Sequence, residues 1–249
     1  EGFHQYAMKI DPSGFLVVKY GISIQSLCRQ VSYALDDNQA TYYAENVTES
    51  QTGMQFDLIT PTTRINGVHL GIFGRHNAEN ALATIVVLLE LGMDPDAFLR
   101  HFKNYSGIKR RFEKVFENER LVYIDDYAHH PTELNAAILS AKELFPTKKI
   151  TGVFQPHLFT RTRDFAGGFA ESLSLLYSLI MLDIYPAREL PIPGITSQTI
   201  LEKVTISDKI LVKKEDLLAE IKHRNPEVIM TLGAGDIDQF VEPIKHLLN

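Results

Sequence analysis

The amino-acid sequence predicts an α/β protein in two parts: antiparallel strands with helices over residues 1–104, then a mostly parallel sheet with interleaved helices over 105–249. Two observations carry the prediction. Short runs rich in β-branched and aromatic residues fill the first hundred positions. Beyond them, apolar runs alternate with helix-length amphipathic stretches, the pattern of βαβ units.

In the first part, residues 15–20, 40–47, 54–60 and 68–73 read as strands. Asn66-Gly67, between the runs 61–65 and 68–73, is a type I′ hairpin signal. Residues 77–91 read as a buried helix, because Ala78, Ala81, Leu82, Ile85, Val86 and Leu89 recur at helical spacing. Asn77 is placed to cap its first turn and Gly92 to end it. A second helix over 95–102 leads into Asn104-Tyr105-Ser106-Gly107, the expected linker. In the second part, strands are expected at 121–125, 150–154, 179–183, 210–212 and 228–232. Helices fall at 132–145, 163–176, 197–204, 215–222 and 237–248. Residues 112–116, turning at Asn118-Glu119, add an antiparallel edge to an otherwise Rossmann-like sheet.

Composition narrows the function classes. With 45% hydrophobic and 22% charged residues, all 249 positions can contribute to folded cores. A formal charge of −6 argues against a nucleic-acid partner held by a general positive field, although a local basic site stays open. The single cysteine, Cys28, has no disulfide partner in the chain; it fits a reducing compartment and reads as a small residue of an amphipathic helix. No window approaches the roughly 20 apolar residues of a membrane span, and Glu1-Gly2-Phe3 has no signal-peptide character, so a cytoplasmic protein without membrane insertion is expected.

Polar clusters follow three successive strands. They are Asp126-Tyr127-Ala128-His129-His130-Pro131, the stretch from Gln155-Pro156-His157 to Arg161-Thr162-Arg163, and Asp183-Ile184-Tyr185-Pro186-Ala187-Arg188-Glu189. Ligands of open α/β sheets gather beyond the carboxyl ends of strands, so the three loops are expected to share one crevice. Arginine forks and helix N-termini suit an anionic substrate there. His129 is placed to hold an anion or an amine, while His130 is as readily structural. A metal held by His129, His130 and His157 is disfavoured, since adjacent histidines diverge and no HExxH pattern accompanies them. Earlier, Gly74-Arg75-His76-Asn77-Ala78-Glu79-Asn80 opens the long helix, and Asn80 offers an amide able to read an adenine edge. Lys109-Arg110-Arg111-Phe112-Glu113 is either a solvated interdomain surface or a phosphate clamp.

These motifs together resemble the Mur ligase family, the ATP-dependent acid–amino-acid ligases of peptidoglycan precursor synthesis. Gly-Arg-His-Asn-x-x-Asn-Ala at 74–81, Lys-Arg-Arg-Phe-Glu at 109–113, Asp-Asp-Tyr-Ala-His-His-Pro-Thr-Glu at 125–133, Gln-Pro-His-x-x-x-Arg-Thr at 155–162 and Tyr-Pro-Ala-Arg-Glu-x-Pro-Ile-x-Gly at 185–194 carry the likeness. The resemblance implies that 1–104 is the later part of the family's central ATP-binding domain and 105–249 its C-terminal domain. It further implies joining of L-alanine to the carboxylate of UDP-N-acetylmuramate through an acyl phosphate, with ATP and Mg2+ as cofactors. His76, Asn77 and Asn80 would contact adenine, Asp126 and Tyr127 the nucleotide, and Arg111 the phosphates. His129, with Tyr127 nearby, and His157 and Arg161 would hold L-alanine and the reacting end of the muramyl group. Position 158 is Leu where some relatives carry Arg, which places more weight on Arg161. Gly233-Ala234-Gly235-Asp236 lacks the third glycine of a dinucleotide fingerprint and could form only a backbone nest. No Gly-x-x-x-x-Gly-Lys-Ser/Thr loop occurs in the sequence, and the family's main magnesium ligands are absent, so the isolated chain is expected not to turn over. Two alternatives remain: a ligase that attaches a whole tripeptide to the same UDP-sugar, and a non-catalytic nucleotide-binding module.

Overall fold

The computed structural model describes residues 2–50 and 52–249. The chain divides between Ser106 and Gly107 into two compact units.

The first unit is built on a five-stranded sheet in the order β1 (Phe15–Lys19), β2 (Arg29–Leu35), β3 (Tyr42–Ser50), β4 (Gly53–Ile59), β5 (Arg64–Leu70), preceded by the short helix α1 (Gly2–Ala7). Helices α2 (Arg75–Glu90) and α3 (Pro95–Lys103) follow. Val31, Ala44, Phe56, Leu58 and Leu70 of the strands form one core with Ala78, Leu82, Ile85 and Val86 of α2 and Phe98 of α3. Alternate strand residues face one side of a sheet, which is why these positions meet the helices.

Four sequence expectations need correction here. The sheet is not purely antiparallel: β1 pairs with β2, and β2 with β3, in parallel, while β3–β4–β5 are antiparallel. No helix lies between β1 and β3 to form a crossover, the usual mark of a parallel pair. Cys28 lies in no helix; it is buried immediately before β2, a strand that the sequence reading missed. Asn66-Gly67 lies inside β5 and forms a bulge, since the register shifts between Phe56 and Leu58 and only Gly67 has a positive φ of 66°. Asp57 accounts for this, accepting from the Gly67 N–H at 2.8 Å, Arg64 at 2.8 Å and Asn46 at 2.9 Å. Its carboxyl is held down to about 2, first by the Asn46 bond. The hairpin falls instead at Thr60–Thr63, closed by Thr60 N–H to the Thr63 carbonyl. Finally, Asn77 does not cap α2. Gly74 occupies that position at φ 94°, and the Asn77 amide donates back to the Phe73 carbonyl at 2.8 Å.

The second unit is a six-stranded sheet. Its strands are β6 (Glu113–Glu117), β7 (Val122–Asp126), β8 (Ile150–Phe154), β9 (Ser178–Met181), β10 (Lys209–Leu211) and β11 (Val228–Leu232), ordered β10-β9-β8-β11-β7-β6. All pairs are parallel except β6 with β7, the predicted antiparallel edge. Helices α4 (Pro131–Leu144), α5 (Phe159–Leu173) and α6 (Ser197–Leu201) come between the first strands, and α7 (Leu217–Arg224) and α8 (Val241–Leu248) flank β11 in sequence. Because 3-10 turns at Lys214–Asp216 and Asp236–Phe240 lead into them, α7 begins two residues later than the periodicity suggests at the same length, and α8 is shorter.

Every residue of β7, β8, β9 and β11 is buried, as a sheet covered on both faces requires. Tyr123, Val153, Ile180 and Ile229 pack with Leu217 and Ile221 of α7 and Ile244 and Leu248 of α8. The neighbouring Phe154 points the other way and meets Phe169 of α5, with ring centroids 5.5 Å apart. Phe169 is fully buried and also touches the Phe165 ring. Replacing it with alanine leaves a cavity under the sheet, so Phe169→Ala is expected to cost about 3–5 kcal/mol in urea unfolding; a loss below about 1 kcal/mol would show that this contact does not hold α5 in place.

Candidate active site

The carboxyl end of β7 carries two buried acids, and the loop around them is assembled on their oxygens. Asp125 is fully buried and Asp126 is 5% exposed. Asp125 accepts from Arg110 Nε at 3.1 Å and from the Thr231 hydroxyl at 2.5 Å, and Thr231 also meets the Tyr123 hydroxyl at 3.1 Å. Arg110 further donates to the Gly233 carbonyl at 2.6 Å, which joins the ends of β7 and β11. Asp126 accepts two backbone N–H groups, from Phe112 and Ala128, each at 2.7 Å. Those bonds tie the turn at Tyr127 to the segment before β6, and the Tyr127 N–H adds a bond to the Arg110 carbonyl at 2.7 Å.

Above this base the side chains form a row. The guanidinium carbons of Arg110 and Arg111 lie 5.0 and 5.3 Å from the Tyr127 ring centre, within cation–π range. Tyr127 meets His129 edge-on at 5.1 Å, His129 meets His157 at 6.3 Å, and His157 stacks on Tyr185 at 5.7 Å with 18° between planes. Arg161, in the first turn of α5, places Nη1 3.3 Å from His157 Nδ1. The loops after β7, β8 and β9 therefore converge. Arg111, Tyr127, His129, His157 and Arg161 come together, with Asp126 beneath them.

His76, Asn77 and Asn80 belong to the first unit. His76 and Asn77 are half-buried in the first turn of α2, and Asn80 is exposed, with no hydrogen-bond partner for its amide among the described residues.

Protonation follows from the contacts. Arginine only donates, so His157 Nδ1 accepts from Arg161 and the ring proton sits on Nε2. Burial, then the charges of Arg161 and His129, hold the His157 pKa below its usual value, which keeps the ring neutral. His129 Nδ1 lies 2.8 Å from the Tyr127 carbonyl, an acceptor, so that nitrogen carries a proton and Nε2 is the nitrogen left for a ligand. Glu133 accepts the backbone N–H groups of His129 and His130, and His130 Nδ1 accepts from Thr132 N–H at 3.3 Å. His130 is thus the cap of α4, packed edge-on against Phe165 at 4.8 Å.

Sequence reasoning missed Arg110, Tyr185, Glu133 and Glu189. Arg110 lay inside the basic knot, but nothing in the sequence marks it as the arginine that reaches Asp125. Tyr185 was visible only as an aromatic in the third strand-end loop. The Gly-Ala-Gly-Asp segment proves to be a packing device. A Cβ at Gly235 would lie 2.4 Å from Gln155 Oε1, and Gln155 bridges to Asp236 at 2.8 Å and to the Ile237 N–H at 2.9 Å. Among the described residues no group of three or more His, Cys, Asp or Glu side chains is arranged to hold a metal ion.

Comparison with known proteins places the chain in a family. The Mur ligase middle domain model matches residues 18–88, and the model described as Mur ligase, glutamate ligase domain matches 110–235. The chain belongs to the Mur ligase family. Among curated Mur ligases, the UDP-N-acetylmuramate--L-alanine ligase of Parabacteroides distasonis is 45% identical over 252 residues, covering 100% of this chain and 54% of the relative. That of Flavobacterium johnsoniae is 44% identical, covering 99% of this chain and 54% of the relative. The chain therefore spans about half the length of the curated relatives it matches. Among solved Mur ligases, the UDP-N-acetylmuramate-alanine ligase of Thermotoga maritima superposes with a TM-score of 0.69 at 26% identity, covering 87% of this chain and 47% of that one. A murein peptide ligase from Psychrobacter arcticus gives 0.68 at 16% identity, covering 99% of this chain and 53% of that one, a likeness of fold.

Asp126 supplies a test of the buried base. Burial raises its carboxyl to about 6, against the opposing pull of the Ala128 and Phe112 N–H groups. A folded-state pKa above the unfolded value means that the folded protein holds the proton more tightly. The Asp126 contribution to stability is then complete below about pH 4 and is lost as the pH rises through about 6. Carboxyl-carbon NMR should find its midpoint near 6, and a midpoint under about 4.5 would show that the two N–H donors outweigh burial.

Proposed function

We propose that this chain forms the nucleotide-covering and amino-acid-holding half of a cytoplasmic ligase that joins L-alanine to the carboxylate of UDP-N-acetylmuramate at the expense of ATP. The observation that carries this is the meeting of His129, His157 and Arg161 at the ends of successive parallel strands, in a chain whose 40–45% identical relatives bear that ligase's name. Residues 1–104 are assigned to the central domain and 105–249 to the C-terminal domain. The break in compactness after Ser106 and the two matched family domains support that division.

ATP supplies the phosphoryl group that turns the muramyl carboxylate into an acyl phosphate, and L-alanine's amine then displaces phosphate. Each assigned residue has a physical reason. Asn80, beside His76 and Asn77, offers a free amide to the adenine ring. Asp126 keeps lone pairs for a ribose hydroxyl beside the two it spends on backbone, and Tyr127 lies against the nucleotide. Arg111, exposed above Tyr127, faces phosphate charge. Arg161 is the fixed cation for the alanine carboxylate, and more of that duty falls on it because position 158 is leucine. His157, neutral with its proton on Nε2, is a donor for the oxyanion of the tetrahedral intermediate. His129 holds the attacking amine through Nε2. The phosphate loop and magnesium ligands are assigned to ligase sequence other than these 249 residues.

In the complete ligase, phosphate release with UDP-N-acetylmuramate and L-alanine should exceed that with a tripeptide. Arg161→Ala is expected to lower kcat/KM for L-alanine by about 10²-fold or more, while Asn80→Ala raises mainly the KM for ATP. A preference for the tripeptide would move the assignment to the tripeptide-joining ligase, and no nucleotide-dependent phosphate release from the complete protein would leave only a binding module.

A further inference from the structure

Helix α5 begins without a cap of its own. Its N-cap position is Leu158, which accepts no side-chain hydrogen bond and has φ 72°, a region costly for a bulky residue. The leading N–H groups of a helix need acceptors from elsewhere. Here the acceptor is Glu189, from the loop after β9. Glu189 Oε2 accepts from the Thr160 N–H at 2.9 Å, and Oε1 accepts a short bond from the Thr160 hydroxyl. The Thr160 hydroxyl, and then its N–H, hold the Glu189 carboxyl below the usual range, so it stays an anion at a helix N-terminus, where negative charge is favoured. The same loop is tied to the end of β8 on both sides: Tyr185 N–H donates to the Pro156 carbonyl at 2.8 Å, and Leu158 N–H donates to the Tyr185 carbonyl at 3.0 Å. The turn capped in this way carries Arg161, and His157 directly precedes the capped end.

We propose that Glu189 is a positioning residue for the ligation: it caps α5 from a separate loop and thereby fixes His157 and Arg161 where the carboxylate end of the amino acid is taken up. The proposal rests on the L-alanine ligase function above and adds a residue that acts only through its neighbours. Glu189 is suited to this role because Leu158 cannot cap and because both of its oxygens meet Thr160, which lies in the short segment between His157 and Arg161 and directly precedes Arg161.

The test compares Glu189→Ala, Glu189→Gln and Thr160→Val in the complete ligase. KM for L-alanine, KM for ATP and kcat are measured separately, and the His157 imidazole is titrated by NMR without substrate. Glu189→Ala should raise the KM for L-alanine about tenfold and leave the KM for ATP within about twofold. Glu189→Gln, which keeps one acceptor, and Thr160→Val, which keeps the backbone bond, should show the same pattern more weakly. Glu189 works to raise the His157 pKa against burial, Arg161 and His129. Its removal should therefore push the His157 midpoint further down in both Glu189 variants, whereas Thr160→Val leaves the charge in place. An unchanged KM for L-alanine, or an equal rise in both KM values, overturns the proposal, and Thr160→Val with Glu189→Gln decides it if Glu189→Ala does not fold. Failure of the unsubstituted enzyme to use L-alanine would refute the ligase function alone, since the substrate-free titration still reports whether Glu189 faces His157.

Discussion

Two adjacent carboxylates, taken out of water at the end of one buried strand, hold the second unit together where it matters. Isolated charges in such a place are unfavourable, so each must find donors. Asp125 finds them in Arg110 and Thr231, which join β7 to the loop before β6 and to β11. Asp126 finds them in two backbone N–H groups, that of Ala128 just beyond Tyr127 and that of Phe112 on the segment before β6. The direction of the Tyr127 ring, and with it the seats of Arg110, Arg111 and His129, follows from these bonds. Burial pushes both carboxyls above the ordinary range, opposed at Asp126 by two backbone donors and then the Arg111 charge, and at Asp125 by the Thr231 hydroxyl and the Arg110 guanidinium.

Groups around this base divide into those that are used up and those that are left over. Arg110, Glu133, His130 and Gln155 spend their polar atoms on the fold. Arg111 touches only a ring face, His129 keeps one nitrogen, and His157 keeps one N–H. A ligand is met by what the scaffold has not consumed, and here that remainder is a cation, one N–H donor and one acceptor nitrogen, a set matched to a ligand that carries both an anionic group and an amine.

Much of this was legible in the sequence because strands buried on both faces read as apolar runs, and their carboxyl ends are where polar motifs collect. The loops at Asp126, His157 and Tyr185 could be grouped on that ground alone. What could not be read is long-range partnering. Nothing local says that Arg110, and not Arg111, turns back to Asp125, or that Glu189 serves a helix beginning at Phe159. In the first unit local signals misled for the same reason. Asn66-Gly67 has the chemistry of a hairpin, yet Asp57 on the neighbouring strand draws it into a bulge. Parallel pairing of β1, β2 and β3 left no trace, since no helix intervenes to announce it.

The borrowed cap of α5 bears on how such enzymes can be recombined. A helix whose start is completed by its own sequence can be transplanted as a segment. Residues 155–163 cannot, because their first turn would arrive in a new host with an apolar leucine at its head and an unmet N–H behind it. The inheritable unit is the pair of loops, 155–163 with 185–189. A chimera built by exchanging one of them would leave the first turn of α5 uncapped even with every side chain of 155–163 preserved.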